Sequence, residues 1–171
     1  MNITLCRPEI GHKAQARAFK QEFFDHGETT INGSELLDHT ENYEEWLSAV
    51  TANTSPETVN PDWVVTDTFF ALDEAGQIVG IIDLRHTLNA FLADFGHSGY
   101  SVRPGARRRG YATEMLRQLL QIAREAGMET LQLSVERSNL PSVRTITKNG
   151  GEYLRSFTFE GEPADVYIIR L

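Results

Sequence analysis

Four arginines and two glycines crowd one short segment, Val102-Arg103-Pro104-Gly105-Ala106-Arg107-Arg108-Arg109-Gly110-Tyr111-Ala112, which runs from a strand-like stretch into a long amphipathic one. A helix that starts this way presents free backbone N–H groups and the positive end of its dipole to whatever lies in front of it. That arrangement suits a phosphate. Three familiar phosphate sites do not fit. There is no G-x-x-x-x-G-K-[ST]. No G-x-G-x-x-G with a ribose-binding acid follows the first strand. One basic turn on an acidic chain, without interleaved aromatics, is not a nucleic-acid surface.

The elements around this turn follow from the periodicity. A short strand is expected near Ile3–Cys6, then a helix over His12–Phe24 with Ala14, Ala18 and Phe19 at helical spacing. Gly27–Thr40 reads as a loop, and Asn42–Val50 as a second helix with Tyr43, Trp46, Leu47 and Val50 on one face. Thr51–Asp62, with Pro56 and Pro61, is a connection. The period then changes. Thr66–Leu72 and Gln77–Arg85 are strands joined by the turn Asp73-Glu74-Ala75-Gly76. Thr87–Phe95 is a helical or looped excursion, and Gly96–Val102 a strand that ends at the basic turn. Gly110–Ala126 carries the clearest helical stripe, Ala112, Met115, Leu116, Leu119, Leu120 and Ala123, with Gly127 just past its end. Thr130–Glu136 alternates, Leu131, Leu133 and Val135 against Gln132, Ser134 and Glu136. Asn139 is the natural N-cap of a helix over Asn139–Asn149, with Gly150-Gly151 behind it. Strands over Glu152–Phe159 and Asp165–Arg170 finish an α/β chain whose sheet is covered by helices.

At 171 residues the chain is read as a single domain, residues 1–171, able to bury a core without staples. Cys6 stands alone, so an intramolecular disulfide is ruled out and a reducing compartment is expected. The first residues lack a basic region followed by an apolar one, and no apolar run approaches the ~18–20 residues that span a bilayer. The expectation is a cytoplasmic protein without a membrane partner. The net charge of −8 is unevenly spread: Gln21–Leu84 holds no Lys or Arg against 14 Asp and Glu, whereas Arg85–Leu171 holds 12 basic and 9 acidic residues. Two ligands of opposite sign would explain this, and so would acids that merely solvate outer helix faces.

Arg107-x-x-Gly110-x-Ala112, set after Tyr100-Ser101-Val102 and opening a helix, resembles the pyrophosphate loop of the GNAT acyltransferases, which hold acyl-coenzyme A. Ser138-Asn139-Leu140-Pro141-Ser142-Val143-Arg144, followed by Lys148-Asn149-Gly150-Gly151, is similar to that family's second coenzyme segment. The likeness runs from Cys6-Arg7-Pro8 to the terminal strands and is densest over Gly96–Gly151; Ile82–Asn89 and Gly96–Pro104 resemble one branch of the family. It implies a mixed, mostly antiparallel central sheet with a splayed parallel strand pair, flanked by about four helices. Residues 1–95 would then form the acceptor side, 96–151 the acyl-CoA core and 152–171 the closing strands. Acetyl-CoA is the implied cosubstrate, with no metal. Tyr100, Ser101 and Val102 would pair with pantetheine as a surrogate strand. The loop Arg107, Arg108, Arg109, Gly110, Tyr111, Ala112 and Thr113 would hold the pyrophosphate, its amides doing more than its side chains. Asn139 and Ser142 belong to the second segment. A backbone N–H near Ser101 or Val102 would meet the thioester oxygen.

The implied reaction is direct attack of an amine on the thioester, since no Cys or Ser stands out as a nucleophile. Proton removal falls first to Glu136, at the end of its strand, then to His97, then to His86, although each also has an ordinary structural reading. Many family members carry an acidic tyrosine seven residues after the Asn; here that position is Ile146, with Ser142, Thr145, Thr147 and Tyr100 as nearby hydroxyls. Asp25, Glu28, Glu35, Asp38, Glu44 and Glu45 could attract a cationic acceptor such as a polyamine, an amino sugar or a peptide N-terminus. Phe23, Phe24, Tyr43 and Trp46 are read as core before substrate platform. The rival reading is an acyl-CoA sensor with little turnover. Monomer and homodimer both remain open.

Overall fold

Two antiparallel sheets divide the chain at the arginine turn. The computed structural model describes residues 2–171. Its elements run β1 (Thr4–Cys6), α1 (Lys13–Asp25), α2 (Tyr43–Ala52), β2 (Thr66–Leu72), β3 (Ile78–Arg85), β4 (Tyr100–Val102), α3 (Tyr111–Glu125), β5 (Thr130–Glu136), α4 (Leu140–Lys148), β6 (Glu152–Phe159) and β7 (Glu162–Arg170). The first sheet has the order β1-β2-β3-β4 and the second β5-β7-β6. The excursion before β4 contains a single 3-10 turn, Phe91–Ala93, and another, Pro104–Ala106, leads into the arginines.

Every hydrogen-bonded strand pair is antiparallel. The parallel pair expected of β4 and β5 is not a hydrogen-bonded one. Among the described residues the sheets meet through one isolated bridge, Gly96 to Leu133. Beside it, the His97 N–H donates to Gln132 O at 2.7 Å. Past this seam no backbone hydrogen bond joins β4 to β5 among the described residues. Each is the edge of its own sheet.

β2 and β3 are buried on both faces, which is why they read as near-continuous apolar runs. One face, with Phe69, Ile82 and Leu84, packs on Met115, Leu116 and Leu119 of α3. The other, with Phe70, Ile78 and Ile81, packs on Phe19 and Phe23 of α1 and on Tyr43, Trp46 and Val50 of α2. Phe23, Tyr43 and Trp46 are therefore core. Burial of each such side chain is worth roughly 1.5–3 kcal/mol. α3 stops where the sequence says it should: Gly127 N–H donates to Arg124 O and Met128 N–H to Ala123 O, the closure of a helix by a left-handed glycine.

Candidate active site

The segments expected to hold the donor are β4 and the start of α3. Arg103 N–H donates to Val79 O and Asp83 N–H to Gly99 O, so the β3–β4 register turns the backbone groups of Ser101 toward β3. The N–H groups of Tyr100 and Val102 consequently face the open edge. Of the two amides expected to meet a thioester oxygen, Val102 is turned outward and Ser101 is not. Arg108 and Gly110 both adopt left-handed backbone, φ 64° and 83°, which coils the loop ahead of α3. The N–H groups of Arg108 through Thr113 meet no protein acceptor among the described residues.

The arginines divide their labour. Arg107 donates both terminal nitrogens to Glu28, each at 2.8 Å, and its Nε to Val102 O, while its guanidinium lies over Phe23. That guanidinium holds the Glu28 carboxyl below the usual carboxylate range. Arg103 pairs with Glu22, whose other oxygen accepts from Gly105 N–H. Arg108 and Arg109 are exposed and unpaired among the described residues. Arg107 thus ties the loop to the segment just past α1, whereas its two neighbours make no such tie among the described residues. The Asn139 side chain caps α4 through Ser142 N–H, and Ser142 Oγ is 2.7 Å from the Tyr100 hydroxyl. Burial pushes that phenol up to about 12. Ile146 is packed in the core.

The three residues considered as bases are not gathered at one point. His97 Nδ1 accepts from Gln132 N–H at 2.9 Å, and burial, reinforced by Arg85, pulls its ring below the ordinary histidine value. It stitches the seam as a neutral imidazole. His86 Nε2 lies 2.6 Å from Asp67, which also holds Arg7, so this ring is aimed at β2 and away from β4. Glu136 ends β5 exposed, and its carboxylate has no partner among the described residues.

Glu136 shares a sheet face with Gln132 and Ser134. Gln132 Nε2 donates to Ala93 O and Ser134 Oγ to Phe95 O, so the Phe91–Phe95 turn lies on that face. On the neighbouring sheet lies a group that sequence reasoning did not assemble. Asp83 and Arg85 of β3 face Glu35 from the loop between α1 and α2, with side-chain exposures of 0%, 13% and 9%. Arg85 Nη2 is 3.2 Å from Asp83 Oδ2, and its Nη1 donates to Gly96 O. Asp83 Oδ1 accepts from Gly99 N–H at 2.7 Å. The legible signal was Asp83 and Arg85, charged residues at alternate positions of the apolar strand Ile81–Arg85. The other acids of the N-terminal half are mostly committed: Asp25 to Gln21, Asp38 to Ile31 N–H and Glu44 to Lys13.

Burial, then the facing Asp83 carboxyl, pushes Glu35 up to about 9. Between about 4.5 and 9 the folded chain keeps a proton that the unfolded chain has released. Stability therefore falls as pH rises through that window. Glu35→Gln is expected to remove this dependence, at most about 1.4 kcal/mol per pH unit. Urea unfolding across the window, wild type against variant, measures it; equal slopes would refute the buried proton.

A strand edge and a helix N-terminus that flank one gap suit a long ligand with amides along one part and phosphates along another. The acetyltransferase (GNAT) domain model matches residues 13–152, and the chain belongs to that family, whose cosubstrate is acetyl-CoA. No curated protein matches it. Solved structures share its fold at low identity. RimL, a ribosomal L7/L12 alpha-N-protein acetyltransferase in complex with coenzyme A, aligns at 11% identity and TM-score 0.73 over 100% of this chain and 95% of its own. A GNAT-family acetyltransferase from Streptococcus pneumoniae aligns at 18% and 0.71 over 99% and 100%. yncA from Salmonella typhimurium, solved with acetyl-CoA, aligns at 15% and 0.69 over 99% and 94%.

Proposed function

We propose that this protein transfers the acetyl group of acetyl-CoA to a primary amine of a small molecule or peptide by direct attack, in the cytoplasm. The observation that carries the reading is the pairing of outward N–H groups at Tyr100 and Val102 with the unpartnered amides of Arg108–Thr113. In this reading the first pair aligns pantetheine and meets the thioester oxygen, and the second run receives the pyrophosphate. RimL, as an alpha-N-protein acetyltransferase, supports nitrogen as the attacking atom. The N–C bond forms at the acyl carbon and the C–S bond breaks, its electron pair leaving on sulfur. The ammonium proton goes to a carboxylate on the acceptor face and on to water.

Of the bases considered, Glu136 alone has an unengaged side chain among the described residues. Tyr100, with its phenol near 12, is a weaker acid than a coenzyme thiol at about 8.5. The thiolate accordingly leaves without a proton from Tyr100. Thiol release from acetyl-CoA over a panel of amines, beside calorimetric acetyl-CoA binding, tests the proposal. Amine-dependent release at least about tenfold above background is expected. Tight acetyl-CoA binding with no such release would replace the transferase reading with that of a coenzyme sensor.

A further inference from the structure

Resting on that amine-transfer reading, we infer that Glu35, backed by Asp83 and Arg85, receives the acceptor's amino group, and that the acceptor is an amine with an apolar or aromatic body, laid along Trp63, Phe91 and Phe95.

Two independent observations meet here. The first is polar. Among the described residues, buried side-chain polar atoms without a hydrogen-bond partner include Ser34 Oγ, Trp63 Nε1, Thr68 Oγ1 and Arg85 Nε, and Asp83 Oδ2 has only the ion-pair contact with Arg85 at 3.2 Å. They belong to one neighbourhood. Thr68 is the cross-strand partner of Asp83, Arg85 is two residues further along β3, Ser34 precedes Glu35, and the Trp63 indole lies toward the Glu35 carboxyl without closing a hydrogen bond. Buried polar atoms are ordinarily paired, and a concentration of unpaired ones at a single place marks a site shaped for another molecule. Asp83 is fully covered, whereas Glu35 and Arg85 keep a margin of exposure, so Glu35 is the acid a ligand reaches and Asp83 the one behind it.

The second observation is apolar. Trp63 and Phe91 stack at 6.4 Å between centroids, Phe91 and Phe95 at 5.2 Å, and Phe95 meets Phe157 at 6.2 Å and Phe159 at 5.3 Å. The strip begins beside the acid pair and ends in the open, with Phe91 66% exposed. A polyamine would leave this strip uncovered. An arylalkyl or alkyl amine covers it while its ammonium meets Glu35 and the face of Trp63.

The backbone supports the assignment. Glu35 and Leu36 are consecutive left-handed residues, φ 50° and 71°, neither of them glycine. The Trp46 indole N–H donates to Ser34 O and Glu35 O, which holds this conformation and keeps the Glu35 carboxyl turned inward. The groups facing that carboxyl are Asp83 and Arg85 of β3 and the Trp63 indole, with His97 behind Arg85. An arriving ammonium takes the place of Glu35's proton, which goes to water. The ammonium then passes one of its own protons to Glu35, which burial and the facing Asp83 carboxyl make more basic than an ordinary carboxylate, and the freed lone pair attacks the thioester.

The test uses the full chain with 2-phenylethylamine and ethanolamine as acceptors. Wild type is expected to favour 2-phenylethylamine in kcat/KM by about tenfold or more. Phe91→Ala should erase that preference by raising KM for the aryl amine about tenfold more than KM for ethanolamine. Glu35→Gln should lower kcat with either amine about a hundredfold and remove the rising limb of the pH profile. Acetyl-CoA calorimetry on each variant reports whether it is folded. A rising limb that survives Glu35→Gln but is lost in Glu136→Gln would overturn the assignment, as would a preference for ethanolamine. A Phe91→Ala change in oligomeric mass, with the amine preference intact, would make the strip an interface between copies and sink the apolar half. Should no amine be turned over, calorimetry with 2-phenylethylamine decides separately. Binding that Glu35→Gln and Phe91→Ala both abolish keeps the site though transfer fails, and no binding to wild type ends it.

Discussion

Gly96→Ala is expected to cost about 4 kcal/mol or more, a large share of the roughly 5–15 kcal/mol that holds a typical domain folded. Two penalties coincide. Gly96 has φ 84°, a region that costs a side-chain-bearing residue roughly 1–2 kcal/mol. A Cβ at that position would also fall inside contact distance of Gln132 O and close to the Leu133 backbone, neither of which is a flexible side-chain end that could swing aside. Those are the atoms through which the two sheets touch. Gly127→Ala separates the two effects, because Gly127 has φ 85° with open space around it. It should lose only the conformational part. Urea midpoints for the pair give the difference, and equal losses would show that the seam tolerates a methyl group.

The second large effect falls on binding rather than folding. Gly110→Asp should weaken acetyl-CoA binding at least about a hundredfold while leaving thermal stability within about 1 kcal/mol of wild type. Aspartate is among the residues that best tolerate left-handed backbone and is a good first residue for a helix, so α3 keeps its start. Its carboxylate, however, would stand where the amides of Arg108–Thr113 converge, against the negative pyrophosphate. Gly110→Asn supplies the same shape without the charge and should lose far less. Calorimetry at low and high salt measures both, and the gap between the variants should narrow as salt rises. Equal affinities for the two variants at low salt would mean that the pyrophosphate lies elsewhere.

Most of the scaffold was legible because the elements announce their periods. Thr66–Leu72, Thr130–Glu136 and Glu152–Phe159 form strands at the bounds their patterns predict, and the stripe from Met115 to Ala123 is the buried face of α3. The arginine turn was legible as a place, but the partners of its side chains were not. Nothing local in Arg107 distinguishes it from Arg108; Glu28 does, and Glu28 lies on the far side of the sequence. The histidines mislead for the same reason. His97 looks like a base beside the donor strand until Gln132 N–H is found on its ring. Asp83 and Arg85 sit in the apolar strand in plain view, yet their meaning depends on Glu35, delivered by a loop with no period of its own.

The seam at Gly96 and His97 has a further consequence. Beyond it β4 and β5 each keep an unpaired edge, so the chain carries a sheet that is one strand short. A pantetheine arm lying there would be part of the architecture as well as a reactant, because its amides would supply the missing ladder. Folding and cosubstrate supply would then be thermodynamically linked, with about 2.7 kcal/mol gained at a hundredfold excess over Kd. Where acetyl-CoA is plentiful the molecule would resist unfolding and proteolysis; under starvation it would loosen. Its lifetime in the cell would thus follow the metabolite it spends.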